Sequence, residues 1–408
     1  MDTVTYQRRR ALFLLYCLPG VVLASWVTRT PAIRDRLDAS TAEMGIVLVG
    51  MSIGSMTGIF LSRMLVRRWG TRAVTLMGTI AMIAGVATVG VAAAIGISSV
   101  VFTGLALFGL GMGANEIALN VDGAEIERIL DRPVLPTLHG CFSLGAAIGA
   151  VVGITLGLLN YSVTVHLLVV ALVCAPAVVA VRAIPQGYGI SRHRRARRRG
   201  RSRTDANPLR EGRIVVLCLT VLAMALAEGA ATDWLPLLMV DGHGVDPVAG
   251  SVVYAVFAAS MAAGRFAGPI VLARFDRAAV VRLSALLGAG GLAVVIFSPG
   301  AVSAGISVVL WGLGTALGFP LAISAAGDGP GDRSAAVSAV ATAGTSALLI
   351  GPPLLGFLGE QFTLRGAMIV VLALLVLAAA GASAMRPPTP VRSGGERRRI
   401  VAHETEPL

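Results

Sequence analysis

The sequence contains no lysine, and charged residues of all kinds make up only 14% of its 408 residues. A soluble chain of this length needs far more charge to cover its surface, so the composition excludes that class. Hydrophobic residues reach 55%, and the mean hydropathy is +0.80. They fall in runs of roughly 18–25 residues, the length with which a helix crosses about 30 Å of hydrocarbon. We therefore predict an all-α polytopic membrane protein.

The basic residues are 34 arginines, and the formal net charge is +12. An excess of this size is also typical of nucleic-acid binding, but most arginines lie in short hydrophilic joints between the apolar runs. That distribution is the topology signal of membrane proteins. We expect contacts with membrane lipids and no nucleic-acid partner.

Cysteine is scarce as well, and its four occurrences all fall inside apolar runs: Cys17, Cys141, Cys174 and Cys218. A disulfide framework would place cysteines in extracytoplasmic loops, so these are expected to be packing residues. The sequence has no nucleotide-binding loop, no His/Cys/Asp metal cluster and no Ser-His-Asp set at one membrane depth. We predict no enzyme activity, no cofactor, no metal and no ATP-driven pumping.

The apolar runs predict twelve transmembrane helices, which we number spans 1–12. Their expected bounds are 11–30, 42–66, 73–94, 98–120, 137–159, 163–183, 214–240, 248–272, 279–298, 302–325, 335–358 and 364–385. Orientation follows from counting arginines, because cytoplasmic joints carry the excess of basic residues. With both termini inside, 30 of the 34 arginines are cytoplasmic or sit at cytoplasmic helix ends, and the exceptions are Arg29, Arg34, Arg36 and Arg365. We expect a multi-pass protein of the bacterial cytoplasmic (inner) membrane with both termini cytoplasmic.

The chain divides into two halves of six spans. Residues 1–190 form the first half and residues 214–386 the second. An Arg-rich cytoplasmic linker, 191–213, joins the halves, and residues 387–408 form a cytoplasmic tail. The linker either binds anionic lipid headgroups or is a plain topology anchor. We expect a monomer.

Weak internal repeats relate the two halves. Gly58-Ile-Phe60 on span 2 matches Gly264-Arg-Phe266 on span 8 at an offset of 206. The segment 107–111 on span 4 matches 310–314 on span 10 at an offset of 203. Because each half has an even number of spans, the second half enters the membrane in the same orientation as the first. The repeat is therefore parallel, as it is in major facilitator transporters.

With this plan the chain resembles the major facilitator superfamily over essentially its whole length. The resemblance implies the major facilitator fold, twelve transmembrane helices in two pseudo-symmetric six-helix bundles. The superfamily's signature lies in the joint between spans 2 and 3, where three residues match it: Arg68, Gly70 and Arg72. The acidic position of the signature falls on Arg67. We expect the arginines of this joint to pair instead with acidic residues at the cytoplasmic end of span 4: Asp122, Glu125 or Glu127.

A closer resemblance is to the YbjJ-like inner-membrane proteins, which are related to fucose permease. It rests on four segments: 26–34, 115–122, 136–140 and 228–234. The resemblance implies a solute carrier, either of the sugar-permease type or a multidrug-like exporter.

Glu228 is the first candidate for substrate binding or proton coupling. It lies 14 residues into span 7, roughly 21 Å along the helix at 1.5 Å per residue, and so near the bilayer midplane. An ionisable group at that depth is costly and is by default a functional hypothesis. Uptake and release of a proton during alternating access is the favoured role. A structural hydrogen bond to a neighbouring helix is the alternative.

Spans 4 and 7 carry further polar candidates. Asp233 lies near the periplasmic end of span 7, where it either pairs with Arg29 of span 1 as a gate or contacts the ligand. On span 4, Glu116 and Asn120 share one face at i, i+4 spacing, with Asn115 beside them. These side chains could hydrogen-bond a polyol or a neighbouring helix. The resemblance to fucose permease implies proton-linked binding at Glu116.

Four aromatic residues lie on the predicted spans 1, 7, 8 and 10: Trp26, Trp234, Tyr254 and Trp311. The tryptophans of spans 1 and 7 could line a cavity or settle at the membrane interface. Trp311 is deeper and is the better cavity candidate, and Tyr254 is a weaker one. Arg265 on span 8 either contacts an anionic substrate or snorkels to the cytoplasm, and snorkelling is favoured.

The sequence thus predicts a proton-coupled secondary transporter of a small solute that works by alternating access. Two alternatives stay open: a non-transporting receptor on the same scaffold, and drug/proton antiport in place of symport. The antiporter-type Gly-Pro signature is absent from span 5, which favours symport.

Overall fold

The computed structural model describes residues 3–130, 134–185, 211–328 and 333–387, and in those ranges every regular element is helical. The α-helices are Thr3–Val27, Thr30–Leu37, Thr41–Ile95, Ser98–Leu130, Leu135–Leu158, Val163–Cys174, Ala177–Ala180, Gly212–His243, Pro247–Leu272, Arg277–Phe297, Ala301–Thr315, Gly318–Ala326 and Arg333–Gly381. Short 3-10 turns follow at Val181–Ala183 and Ala382–Met385. Most of the predicted linker and all but the first residue of the predicted tail lie outside the described residues.

The predicted twelve spans are confirmed. Ten stretches within the described ranges are long and apolar enough to cross a membrane. Two of them, of 55 and 51 residues, are long enough for two crossings each. The first is broken at Gly70 (φ 83°) and the second at Thr363 (φ 68°), so each supplies two spans. Ten stretches with two double ones give twelve spans.

Gly70 explains one position of the signature between spans 2 and 3. Its φ of 83° and ψ of 169° lie in a region that is essentially restricted to glycine. The chain turns there from span 2 into span 3 without a loop. Glycine therefore adopts this joint without the strain that a side chain adds, as one does at Thr363 (φ 68°, ψ 157°) in the joint 11–12.

Polar caps fix where several spans begin. At the start of span 2, the Ser40 side chain accepts a hydrogen bond from Glu43 N, and Glu43 accepts one from Ser40 N. Asp246 caps span 8 through Val248 N and Ala249 N. Such caps satisfy the first amide groups of a helix, which have no intrahelical acceptor.

The parallel repeat appears in the packing. A Cβ built on Gly85 of span 3 would lie 2.4 Å from Phe108 N of span 4. A Cβ on Gly291 of span 9 would lie 2.5 Å from Trp311 N of span 10. The two glycines are 206 positions apart and the two aromatic residues 203, which are the offsets of the sequence repeats. The same helix contact is thus built twice, and it requires glycine because the backbones touch.

Positive-φ residues in the joints repeat with the same spacing. Asp38 (φ 47°) and Gly244 (φ 66°), in the joints 1–2 and 7–8, are 206 positions apart. Asn160 (φ 57°) and Thr363 (φ 68°), in the joints 5–6 and 11–12, are 203 apart. Asp38 and Gly244 both end a helix in the left-handed conformation, so the two halves share this turn as well as helix contacts.

An even number of spans brings both ends of the bundle to one side, which we call the terminal face. The opposite side, the far face, carries the joints 1–2, 3–4, 5–6, 7–8, 9–10 and 11–12. Between the halves, span 2 packs on span 11 and span 5 packs on span 8. These contacts enclose a space between the halves.

Candidate substrate cavity

A cavity of about 990 Å³ lies between the two halves. Its wall comes from spans 1, 2, 4 and 5 on one side and spans 7, 8, 10 and 11 on the other. Four of the lining residues that the structure describes are charged: Glu116, Glu228, Asp233 and Arg265. Charge inside a membrane-spanning bundle is costly, so four such residues in one cavity mark it as the candidate site.

The halves are joined near the far face. Ser251 Oγ of span 8 donates a 2.8 Å hydrogen bond to Thr28 O at the end of span 1. Arg34 forms an ion pair with Asp241 at the end of span 7. At the opposite end, the cavity reaches Gly140 and Phe266, close to the terminal-face ends of spans 5 and 8. The cavity is therefore shut toward the far face and extends toward the terminal face.

Arg265 and Glu228 form an ion pair across spans 8 and 7. Arg265 Nη2 donates to Glu228 Oε1 at 2.8 Å, and the two side chains are 41% and 27% exposed. That exposure faces the cavity, because both residues line it. Arg265 was expected to snorkel to the cytoplasm, but its side chain pairs with Glu228 at the cavity wall. For Glu228, the alternative to proton coupling was a structural hydrogen bond to a neighbouring helix. Its bond to Arg265 of span 8 is of that kind.

Glu116 and Asp233 line the same cavity without such a partner. Within the described part of the chain, neither carboxylate has a hydrogen bond or an ion pair, and no three His, Cys, Asp or Glu side chains are grouped to hold a metal ion. Asp233 does not pair with Arg29 as one prediction had it. An uncompensated carboxylate between helices is costly, and binding a proton or a cation removes that cost.

Tyr254 of span 8 lines the same cavity. Its residue surface is 5% exposed. Its hydroxyl has no hydrogen-bond partner among the residues that the structure describes, and it is not among the polar atoms sealed away from solvent. The hydroxyl is thus presented to the cavity with its hydrogen-bonding capacity unused.

Two of the predicted polar residues lie outside the cavity wall. Asn115 is 1% exposed, and its Nδ2 donates to Thr79 Oγ1 of span 3 at 3.3 Å. Asn120 Oδ1 accepts a 2.8 Å hydrogen bond from Tyr16 Oη of span 1. Both asparagines therefore bond to neighbouring helices, the second of the two roles considered for them, and only Glu116 of the three reaches the cavity.

The three predicted tryptophans are also placed in packing positions. Trp26, Trp234 and Trp311 are each at most 2% exposed, and none lines the cavity. Trp311 packs edge-to-face on Phe257, with the ring centroids 5.5 Å apart. It is the counterpart of Phe108 in the repeat, a position at which both halves bury a large ring. Trp311 is therefore buried because it packs within the second half, and it does not face the cavity.

Arg29 is bound by a residue that the sequence did not single out. Arg29 Nε donates a 3.1 Å hydrogen bond to His166 Nδ1 of span 6, and the two residues are 7% and 0% exposed. Since guanidinium only donates, Nδ1 must accept, and the neutral ring carries its proton on Nε2. The pair belongs to the first half and lies near its far-face end.

The joint between spans 2 and 3 does not use the acids of span 4. Asp122 is fully buried and forms its ion pair with Arg8 of span 1. Arg68 and Arg72 have no ion pair with an acidic residue in the described ranges. The reason is that the first helix starts at Thr3, eight residues before the predicted bound, so Arg8 is carried on span 1 to span 4. The predicted pairing of Arg68 or Arg72 with Asp122 was wrong.

Comparison with known proteins finds one family model and several relatives that match this chain. The family model described as Major Facilitator Superfamily matches residues 137–331. An uncharacterized transporter, y4wD, of Sinorhizobium fredii is 27% identical over 87% of this chain and 92% of its own length. An uncharacterized MFS-type transporter of Yersinia pestis is 26% identical over 91% of this chain and 94% of its own.

Solved structures share the fold. The nucleoside transporter NupG superposes with a TM-score of 0.71 at 16% identity, covering 94% of this chain and 99% of that one. A D-xylose-proton symporter gives 0.72 at 13% identity, covering 95% and 99%. The E. coli fucose:proton symporter FucP gives 0.62 at 16%, covering 93% and 98%. The chain is a polytopic membrane protein with the fold of these transporters. Together the matches support a transporter of the major facilitator superfamily.

Proposed function

We propose that this protein is a secondary transporter that moves a small solute by alternating access and couples that movement to protons. The observation that carries the proposal is the cavity. It lies between two parallel repeats, contains four charged side chains, and is shut at one face while it extends toward the other. A site between repeats that rock against each other is the arrangement by which such carriers work.

The terminal face is proposed to be cytoplasmic, in a bacterial inner membrane, because the arginine distribution favours that orientation. The cavity is then in its inward-facing state. Kinship with the YbjJ-like proteins remains part of the proposal, and the shared fold with proton symporters for fucose and D-xylose supports symport.

Glu116 and Asp233 are the proposed proton carriers. Each lines the cavity without a counter-charge, so each can lose its charge by binding a proton when the cavity closes. Glu228, proposed as the carrier from sequence, is compensated by Arg265. The ion pair is proposed to hold spans 7 and 8 in the geometry that ligand binding requires.

The test is flux into proteoliposomes across a panel of metabolites and organic cations, with and without an imposed pH gradient. We expect at least one solute to be accumulated only when the gradient is present. Glu116→Gln and Asp233→Asn should abolish the accumulation, whereas Glu211→Gln should not, because Glu211 is an exposed acid at the start of span 7. If no solute moves under any gradient, the proposal fails.

A further inference from the structure

The described wall of the cavity carries an imbalance of charge. Three carboxylates face one guanidinium, and the ion pair Arg265–Glu228 accounts for one of each. The carboxylates of Glu116 and Asp233 remain. When both are ionised, the cavity carries two negative charges without protein counter-charges among the described residues. A ligand that brings positive charge would supply what the protein leaves out.

The rest of the wall is apolar and adaptable. Four methionines and three phenylalanines line it: Met51, Met56, Met112, Met261, Phe142, Phe266 and Phe319. Methionine side chains are flexible and polarizable, and they suit binding surfaces that accept several shapes. A volume of about 990 Å³ is at the upper end of small-molecule sites. The wall fits a bulky hydrophobic ligand.

Half of the six described hydroxyls that line the cavity are already engaged within the protein. Among the described lining residues, three hydroxyls already donate to backbone carbonyls: Ser52 to Leu348, Thr232 to Glu228 and Thr345 to Ala341. No tryptophan, asparagine or glutamine belongs to this described set. A polyol needs several matched polar groups, because each of its hydroxyls loses water on binding. Three described lining hydroxyls stay free, those of Ser55, Ser143 and Tyr254, so the cavity offers a neutral sugar few neutral polar groups for its volume.

Tyr254 adds an independent indication of a ligand. It is almost completely buried, its hydroxyl is unpartnered, and it lines the same cavity as Asp233 and Glu228. An aromatic ring next to carboxylates attracts a cation through its electron-rich face. Its hydroxyl can also accept a hydrogen bond from an ammonium group.

We infer that the ligand of this cavity is an amphiphilic organic cation, such as a bulky hydrophobic amine or quaternary ion, held by Glu116 and Asp233 against the methionine and phenylalanine wall. The inference rests on the proposed function and narrows its substrate class. The same carboxylates would then take a proton when the cation leaves, so for such a ligand the coupling is cation/proton antiport, the alternative to symport that the sequence left open.

The test uses two probes of matched size and opposite charge, tetraphenylphosphonium and tetraphenylborate, with D-xylose as a neutral polyol. Equilibrium dialysis against the purified full chain in detergent measures binding of each. We expect the phosphonium to bind at least about tenfold more tightly than the borate, since tenfold corresponds to one modest charge contact. Asp233→Asn and Glu116→Gln should each weaken phosphonium binding about tenfold. Glu211→Gln should leave it unchanged.

Asp233→Glu is the control for unfolding. It changes the same position but keeps the charge, so it should retain phosphonium binding. Phosphonium binding no tighter than borate binding, or unchanged affinity in both neutralised variants, would overturn the inference. Flux separates this failure from failure of the transport proposal. If only a neutral or anionic solute is carried, the transport proposal stands and the cation inference is wrong. If the phosphonium binds through Asp233 and Glu116 but no solute moves, the cation site stands and transport is wrong.

Discussion

Arg265 and Glu228 are 37 positions apart in sequence, yet Arg265 Nη2 lies 2.8 Å from Glu228 Oε1 at the wall of the central cavity. Each charge compensates the other, whereas Glu116 and Asp233 line the same cavity without such a partner among the described residues. We predict that Glu228→Gln and Arg265→Gln each destabilise the protein, since each leaves one charge uncompensated. The cost is about 1–3 kcal/mol, because both side chains are partly exposed. The midpoint of thermal unfolding in detergent measures it.

The double variant Glu228→Gln/Arg265→Gln is the control for that prediction. With both charges removed, it should be more stable than either single variant, which a double-mutant cycle reports as a coupling energy. Additive losses in the cycle would contradict a direct pairing.

Arg29 and His166 give a second stability prediction. His166→Leu removes the only acceptor that the described residues offer to Arg29 Nε, so it should cost about 1–3 kcal/mol as a buried donor loses its partner. His166→Asn can present an amide oxygen near the position of Nδ1 and should recover much of the loss. Equal unfolding midpoints for the Leu and Asn variants would show that this hydrogen bond is unimportant.

The contact between spans 2 and 11 gives a prediction about conformation. A Cβ on Gly45 would lie 2.9 Å from Pro352 O and 3.1 Å from the Gly356 Cα, so Gly45→Ala pushes the halves apart near the far face. We expect faster hydrogen exchange at the far-face ends of both spans. Gly290→Ala is the matched control, because nothing lies within 4 Å of its added methyl group. Indistinguishable exchange in the two variants would refute a tight closure at Gly45.

The joint between spans 2 and 3 can be tested through its backbone. Gly70→Ala places a Cβ at φ 83°, ψ 169°, a conformation that costs about 1–3 kcal/mol for a residue with a side chain. The midpoint of thermal unfolding should fall by the amount that corresponds to this free energy. Gly290→Ala, at a helical position, should lower the midpoint less. A fall no larger than that of the control would mean that the joint relaxes without strain.

Much of the fold could be predicted from the sequence, because the length of each hydrophobic run predicts a span and the positions of the arginines predict its orientation. The repeat was also readable, and Gly85 with Phe108 and Gly291 with Trp311 show why: close backbone contacts restrict residue choice in both halves. The site was harder, since an ion pair such as Arg265–Glu228 depends on how two helices rotate against each other. The length of a hydrophobic run does not determine how its helix is rotated against a neighbouring helix.

The repeat did hold a signal for the site. Arg265 falls on Ile59 at the offset of 206, and Phe319 falls on Glu116 at 203, and all four residues line the cavity. Packing positions therefore keep similar residues in the two halves, whereas cavity positions differ. The depth of Trp311 in its span predicted a cavity residue, whereas its match to Phe108 in the repeat indicates a packing position. Arg8 and His166 were missed because their partners lie on helices more than a hundred positions away.

The central claim is that solute and proton share the cavity, and the most direct measurement is proton movement driven by the solute. Proteoliposomes with weak internal buffer and a trapped pH dye report it when a transported solute is added without an imposed pH gradient. The account predicts a solute-dependent change of internal pH that is lost in Glu116→Gln and Asp233→Asn and kept in Glu211→Gln. Solute entry at the native rate with no change of internal pH would contradict it.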